Sequence, residues 1–98
     1  MTTPDLFTAE ERAVLDRFVV DGRLAVVPSK DAKWHLVLEL LAQEFEPGER
    51  YAETEVNARL RGFHDDVANL RRRLVDAGML ARAEGVYHRC GGRVGPAT

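Results

Sequence analysis

Long apolar runs are missing from this 98-residue chain, and so are paired cysteines. No stretch approaches the roughly 20 apolar residues that a helix needs to cross a bilayer, so a membrane is not an expected partner. The opening residues, MTTPDLF, show no basic region followed by an apolar stretch. The single cysteine, Cys90, has no internal disulfide partner, which fits a reducing compartment. A cytoplasmic location is the expectation. Catalytic signatures are equally scarce: there is no glycine-rich phosphate loop, no nucleophile elbow and no H-E-x-x-H. Neither enzymatic activity nor a cofactor is expected. His88 and Cys90 stand two apart on an expected strand, and His35 or His64 could join them around zinc. A structural zinc site normally takes four ligands, often in close pairs, so no metal is expected.

What the chain does have is a charge imbalance along its length. The net charge is -2, yet residues 1–56 carry 6 Lys+Arg against 12 Asp+Glu, and residues 57–98 carry 8 against 4. The halves therefore stand at -6 and +4, which sum to the total of -2. Such asymmetry points to a surface facing a polyanion on one side of the molecule, although solvated charged faces also produce it.

The length suits a single core. Thr8 and Glu11 have capping-box spacing and open a helix with Val14, Leu15, Phe18 and Val19 on one face. Gly22 interrupts it, and RLAVVP reads as a short extended segment ended by Pro28. Ser29 is placed to cap a second, central helix carrying Trp34, Val37, Leu38, Leu41 and Phe45, which Pro47 and Gly48 stop. Glu53 to Leu60 form a short helix with Val56 and Leu60 inward; Gly62 breaks it and Phe63 plugs the core. Asp65 or His64 caps a fourth helix over 65–77, ended by Gly78. Residues 79–90 form a hairpin around AEG, and GGRVGPAT reads as a flexible tail. The fold class is mainly α with a small β-hairpin, a winged helix-turn-helix. The expected division is an N-terminal helix over 1–22, the winged-helix domain over 23–90, and the tail over 91–98.

On a wheel of 100° per residue, Val67, Leu70 and Leu74 group together with Arg71 at their edge. Asn69, Arg72, Arg73 and Asp76 take the opposite side. Asn69, Arg72 and Arg73 would then face a DNA groove, since guanidinium suits guanine or phosphate and asparagine suits adenine. Arg59, Arg61, Arg82, His88 and Arg89 are the expected phosphate contacts on the flanking helix and wing. Arg71 is expected to lie along the core edge and pair with Glu53 or Glu55. Tyr51 is expected to pack on Trp34 or Phe45, and Asn57 to bond backbone at the helix turn in preference to touching phosphate from the first helix of the pair.

The runs YAETEVN and FHDDVANLRRRLVD, with RLAVVPSK and GVYHR, resemble the winged-helix-like bacterial family known as domain of unknown function 2087, over residues 23–89. The resemblance implies association with ArsR-like transcriptional regulators, and it places Arg71 and Arg72 in a shared L-R-R motif, Arg73 being this chain's own. Where the family commonly has Ser or Thr, this chain has Ala52, a lost cap worth roughly 1 kcal/mol. The expected function is a small bacterial regulator binding double-stranded DNA. Useful specificity would need a homodimer, with Phe7, Val14, Leu15 and Phe18 either as the dimer face or as a fourth wall of the core. The alternative is an interaction module that meets a regulatory protein through its acidic half.

Overall fold

The computed structural model describes residues 6–93. Their architecture is mixed α/β: four helices and two small antiparallel sheets. Helix α1 (Ala9–Phe18) starts at the expected capping box. The Glu11 N–H donates to Thr8 Oγ1 at 3.1 Å, and the Thr8 N–H donates to Glu11 Oε1 at 2.9 Å, so two orphan donors of the first turn are satisfied reciprocally. A two-residue ribbon follows, β1 (Val19–Val20) against β2 (Arg23–Leu24). Asp21 and Gly22 between them both have positive φ, 52° and 78°, as a tight hairpin turn matching strand twist requires.

Helix α2 (Asp31–Ala42) is the centre of the core, burying Trp34, Val37, Leu38, Leu41 and Ala42. It begins one residue later than Ser29 would allow: Lys30 is the N-cap and supplies no side-chain cap. Asp31, in the first turn, offers its negative charge to the helix dipole instead. Phe45, just beyond the helix, is fully buried and meets Tyr51 edge-on, with centroids 5.2 Å apart. The Tyr51 hydroxyl accepts from the Glu46 N–H at 2.7 Å, so Tyr51 is a core residue with its polar end satisfied.

Strand β3 (Arg50–Ala52) runs into helix α3 (Glu53–Arg61), which buries Val56 and Leu60. Helix α4 (Val67–Asp76) buries Val67, Leu70 and Leu74, the stripe expected from the wheel. Its cap is neither Asp65 nor His64. Asp66 Oδ1 accepts from the Asn69 N–H, while His64 Nδ1 accepts from the Asp66 N–H at 3.0 Å and fixes that cap. The expected hairpin is present as β4 (Leu80–Ala83) and β5 (Val86–Arg89), joined by Glu84 and Gly85, both at positive φ. A third strand, not expected from the sequence, completes the sheet: β3 pairs antiparallel with β5, giving the order β3-β5-β4.

The first and last described segments are part of this core. Phe7 and Leu15 are buried, Phe18 packs against the same cluster and Val14 is half-buried, so α1 is a wall of the core. Gly91 and Gly92 continue inward as well. A Cβ at Gly91 would stand 2.3 Å from the Gly78 carbonyl oxygen, which only glycine avoids. The expected tail is therefore anchored through residue 93, and 94–98 lie outside the described residues. No helix among the described residues is long and apolar enough to cross a membrane.

Candidate nucleic-acid interface

Strand alternation and helix periodicity bring one face of α4 against one face of the hairpin. In the sheet, Tyr51, Tyr87 and Arg82 stand opposite one another across the three strands, and Arg50, His88 and Ala81 form the next row. Adjacent rows point to opposite faces. Tyr87 is buried toward the helices whereas His88 is exposed on the outer side. Arg82 thus shares the helix-facing side, with its guanidinium 5.9 Å from the Tyr87 ring centroid. Between this side and α4 lies a groove of about 620 Å³ lined by Asp66, Ala68, Asn69, Arg71, Arg72, Val75, Arg82 and Tyr87.

The electrostatics of the groove follow from what its neighbours already hold. Arg71 Nη1 donates to Asn57 Oδ1 across the α3–α4 junction at 2.5 Å. The expected partners are occupied: Glu53 Oε1 accepts from the Tyr87 hydroxyl at 3.1 Å, and Glu55 pairs with Arg59 at 3.1 Å. Asp65 pairs with Arg23, whose other nitrogen donates to the carbonyls of Arg61 and Gly62. Among the described residues, Arg71, Arg72 and Arg82 make no ion pair. The one carboxylate of the lining, Asp66, is turned to the α4 cap. The groove therefore holds three permanent positive charges, since guanidinium does not lose its proton in proteins, beside one carboxylate engaged with backbone.

The eight residues expected to meet DNA divide sharply. Asn69, Arg72 and Arg82 come together in the groove. Arg73 does not, because its position is turned to the other flank of the buried stripe. It lies over the Trp34 ring at 4.0 Å, half-buried in the seam between α2 and α4, where stacking on an aromatic face is favourable. Arg89 is buried: its Nε donates to the Gly91 carbonyl at 3.0 Å, its Nη1 to that of Phe45 at 3.1 Å and its Nη2 to that of Arg93. Three backbone carbonyls hold it as an internal strut, so it is withdrawn from the expected contact set. Strand parity alone does not show this, because Arg82 shares the helix-facing side with Tyr87 and Arg89 yet is exposed.

Arg59 is also committed elsewhere. It donates to the Glu44 carbonyl at 2.9 Å and to Glu55, and lies over the Tyr51 ring at 4.9 Å. Arg61 is exposed at the end of α3, and His88 sits beside Arg50 on the outer sheet face. Neither lines the groove. Five lining residues were not among the expected contacts, Asp66, Ala68, Arg71, Val75 and Tyr87, and of these Arg71 carries a positive charge. Arg71 stood at the edge of the buried stripe in the sequence, which shows position but not the neutrality of its partner.

Opposite in character is the cluster around Arg93, which joins it to α1 and α2. Arg93 donates to both Glu11 carboxylate oxygens at 2.7 and 2.5 Å and to the Leu6 carbonyl at 3.0 Å. Its Nε lies 3.2 Å from buried Glu39, and its guanidinium covers the Phe7 ring at 4.8 Å. The Arg93 hydrogen bonds and the Thr8 N–H hold the Glu11 carboxyl down at about 2.

No curated protein and no solved structure matches the chain. A family model described as "Uncharacterized protein conserved in bacteria (DUF2087)" matches residues 23–89, a span that takes in the whole groove, and the chain belongs to that bacterial family.

Proposed function

We propose that the protein is a small DNA-binding transcriptional regulator of winged helix-turn-helix type. In this reading α3 and α4 form the helix pair, α4 enters the major groove, and the β4–β5 hairpin is the wing. The observation that carries it is the groove in which Arg71, Arg72 and Arg82 gather without an ion-paired carboxylate. Unpaired arginines attract backbone phosphates by releasing condensed counterions. Asn69 and Arg72, three residues apart on one face of α4, add side chains suited to adenine and guanine edges.

The test is a mobility shift with mixed genomic duplexes at low and moderate salt, with Arg72→Ala/Arg82→Ala in parallel. Salt-sensitive binding is expected, with the slope of log affinity against log salt smaller by about 1 in the double variant for the phosphate contact of Arg82, and sequence preference relaxed by the loss of Arg72. A folded double variant that binds like the parent would remove the groove from the interface.

A protein partner is the second reading, and one observation favours it. Val20, Val26 and Val27 are 51%, 52% and 54% exposed in the acidic half of the chain, and exposed apolar side chains gathered in one segment suit a protein contact. Binding that survives loss of Arg72 and Arg82 but not polar substitution of these valines would favour it.

A further inference from the structure

On the strength of the DNA-binding reading, we propose that Asn57 and Arg71 form a preorganised phosphate clamp on the wall of the groove. Asn57 is the positioning residue, and Arg71 contacts one backbone phosphate of the bound duplex.

The partner's chemistry is the reason. Arg71 is half-buried and held at Nη1 by a side-chain amide from the neighbouring helix. A carboxylate there would fix the guanidinium equally well and cancel its charge. An amide oxygen fixes it and leaves the full positive charge in place. Beyond that bond, Arg71 makes no other hydrogen bond or ion pair among the described residues, so the Nη2 side of the fork is available to a ligand. The carboxylates expected to pair with it are engaged elsewhere, Glu53 by Tyr87 and Glu55 by Arg59. A planar guanidinium held at one nitrogen loses less side-chain freedom on binding than a free one does, and it presents paired donors suited to phosphate. Arg72, on the exposed face of the same helix, has no such holder among the described residues. Arg71 therefore sets register against the backbone, and Arg72 and Asn69 are left to read sequence.

Asn57→Asp separates this from a merely structural bond. Affinity for a duplex oligonucleotide is measured across a salt series, and stability by urea unfolding. The parent must first bind; no binding at low salt overturns the regulator reading. With binding established, Asn57→Asp is expected to stay as stable as the parent while binding roughly fivefold more weakly, with a salt slope reduced by about 1. Arg71→Ala should lose the same slope. Asn57→Ala, which frees the arginine without neutralising it, should keep the slope and lose affinity alone. A stable Asn57→Asp protein with the parent's affinity and slope overturns the clamp.

Should the parent bind no duplex, inorganic pyrophosphate titrated against the arginine side-chain NMR signals tests the clamp alone. A shift at Arg71 that Asn57→Asp abolishes supports it, and an unmoved Arg71 signal overturns it.

Discussion

The edge of the molecule where Arg93 meets α1 and the edge formed by α4 and the hairpin use the same side chain in opposite ways. At the first, Arg89 and Arg93 are surrounded by acceptors: backbone carbonyls of Phe45, Gly91, Arg93 and Leu6, and the carboxylates of Glu11 and Glu39. At the second, Arg72 and Arg82 have no ion-pair partner among the described residues, and Arg71 has a neutral one. A buried guanidinium must be satisfied or it destabilises the fold. An exposed one carries little penalty and remains available to an incoming anion. The acceptor environment, more than the residue type, separates strut from binding group.

The largest effect is expected from breaking the strut. Arg89→Ala removes three hydrogen bonds to carbonyls, leaves the buried Phe45 oxygen without that donor and opens a gap beside the core. A loss of about 3 kcal/mol is expected in urea unfolding. Arg72→Ala and Arg82→Ala should each change stability by less than about 0.5 kcal/mol, as exposed substitutions do. If Arg89→Ala were as mild as these, the division between the two edges would be void.

The second effect is a pH dependence at the edge held by Arg93. The Glu11 carboxyl is lowered from 4.5 to about 2 in the folded chain, first by its hydrogen bonds from Arg93 and then by the Thr8 N–H. A carboxyl depressed by folding adds stability that is fully present above its unfolded value and is lost as pH falls through the folded one. The parent should therefore lose stability between about 4.5 and about 2 that Glu11→Gln, already without the charge, does not lose. Melting temperatures across this range measure the difference. Parallel curves for the two proteins would mean that the Arg93 contact does not hold α1 in solution.

Local rules made much of the fold legible. The Thr8–Glu11 spacing, the apolar rows of α2 and α4, and the turn at Glu84 and Gly85 each act within a few residues, and each stands where the sequence places it. What stayed hidden depends on contacts between distant segments. Three residues of β3 carry too little pattern to show that they pair with β5. Arg73 sits toward the outer side of an ideal wheel, but only the approach of α2 reveals Trp34 beneath it. Asp66 rather than Asp65 caps α4 because His64 and Arg23 engage the neighbouring groups. The site was half legible for the same reason: periodicity gave Asn69 and Arg72, whereas charge alone could not distinguish the exposed Arg82 from the buried Arg89.

The smallest effect tests whether the open edge has been left short of stability as well as of ion pairs. Helices α1 and α3 start with the same N3 residue, Glu11 and Glu55, but differ at the N-cap. Thr8 completes its box, whereas Ala52 makes no side-chain cap at the first turn of α3. The Ala52 backbone is already extended, φ -67° and ψ 155°, close to the -68° and 165° of Thr8, so a hydroxyl would enter a conformation suited to capping. Ala52→Ser is expected to raise stability by about 1 kcal/mol in urea unfolding. Because Ala52 does not line the groove, duplex affinity and salt slope should stay at the parent's values. A gain in stability with unchanged binding would show that the unpaired groove arginines are maintained independently of how firmly α3 is capped. A change in binding would instead mean that α3, which carries Asn57, sets the position of Arg71 through the order of its first turn.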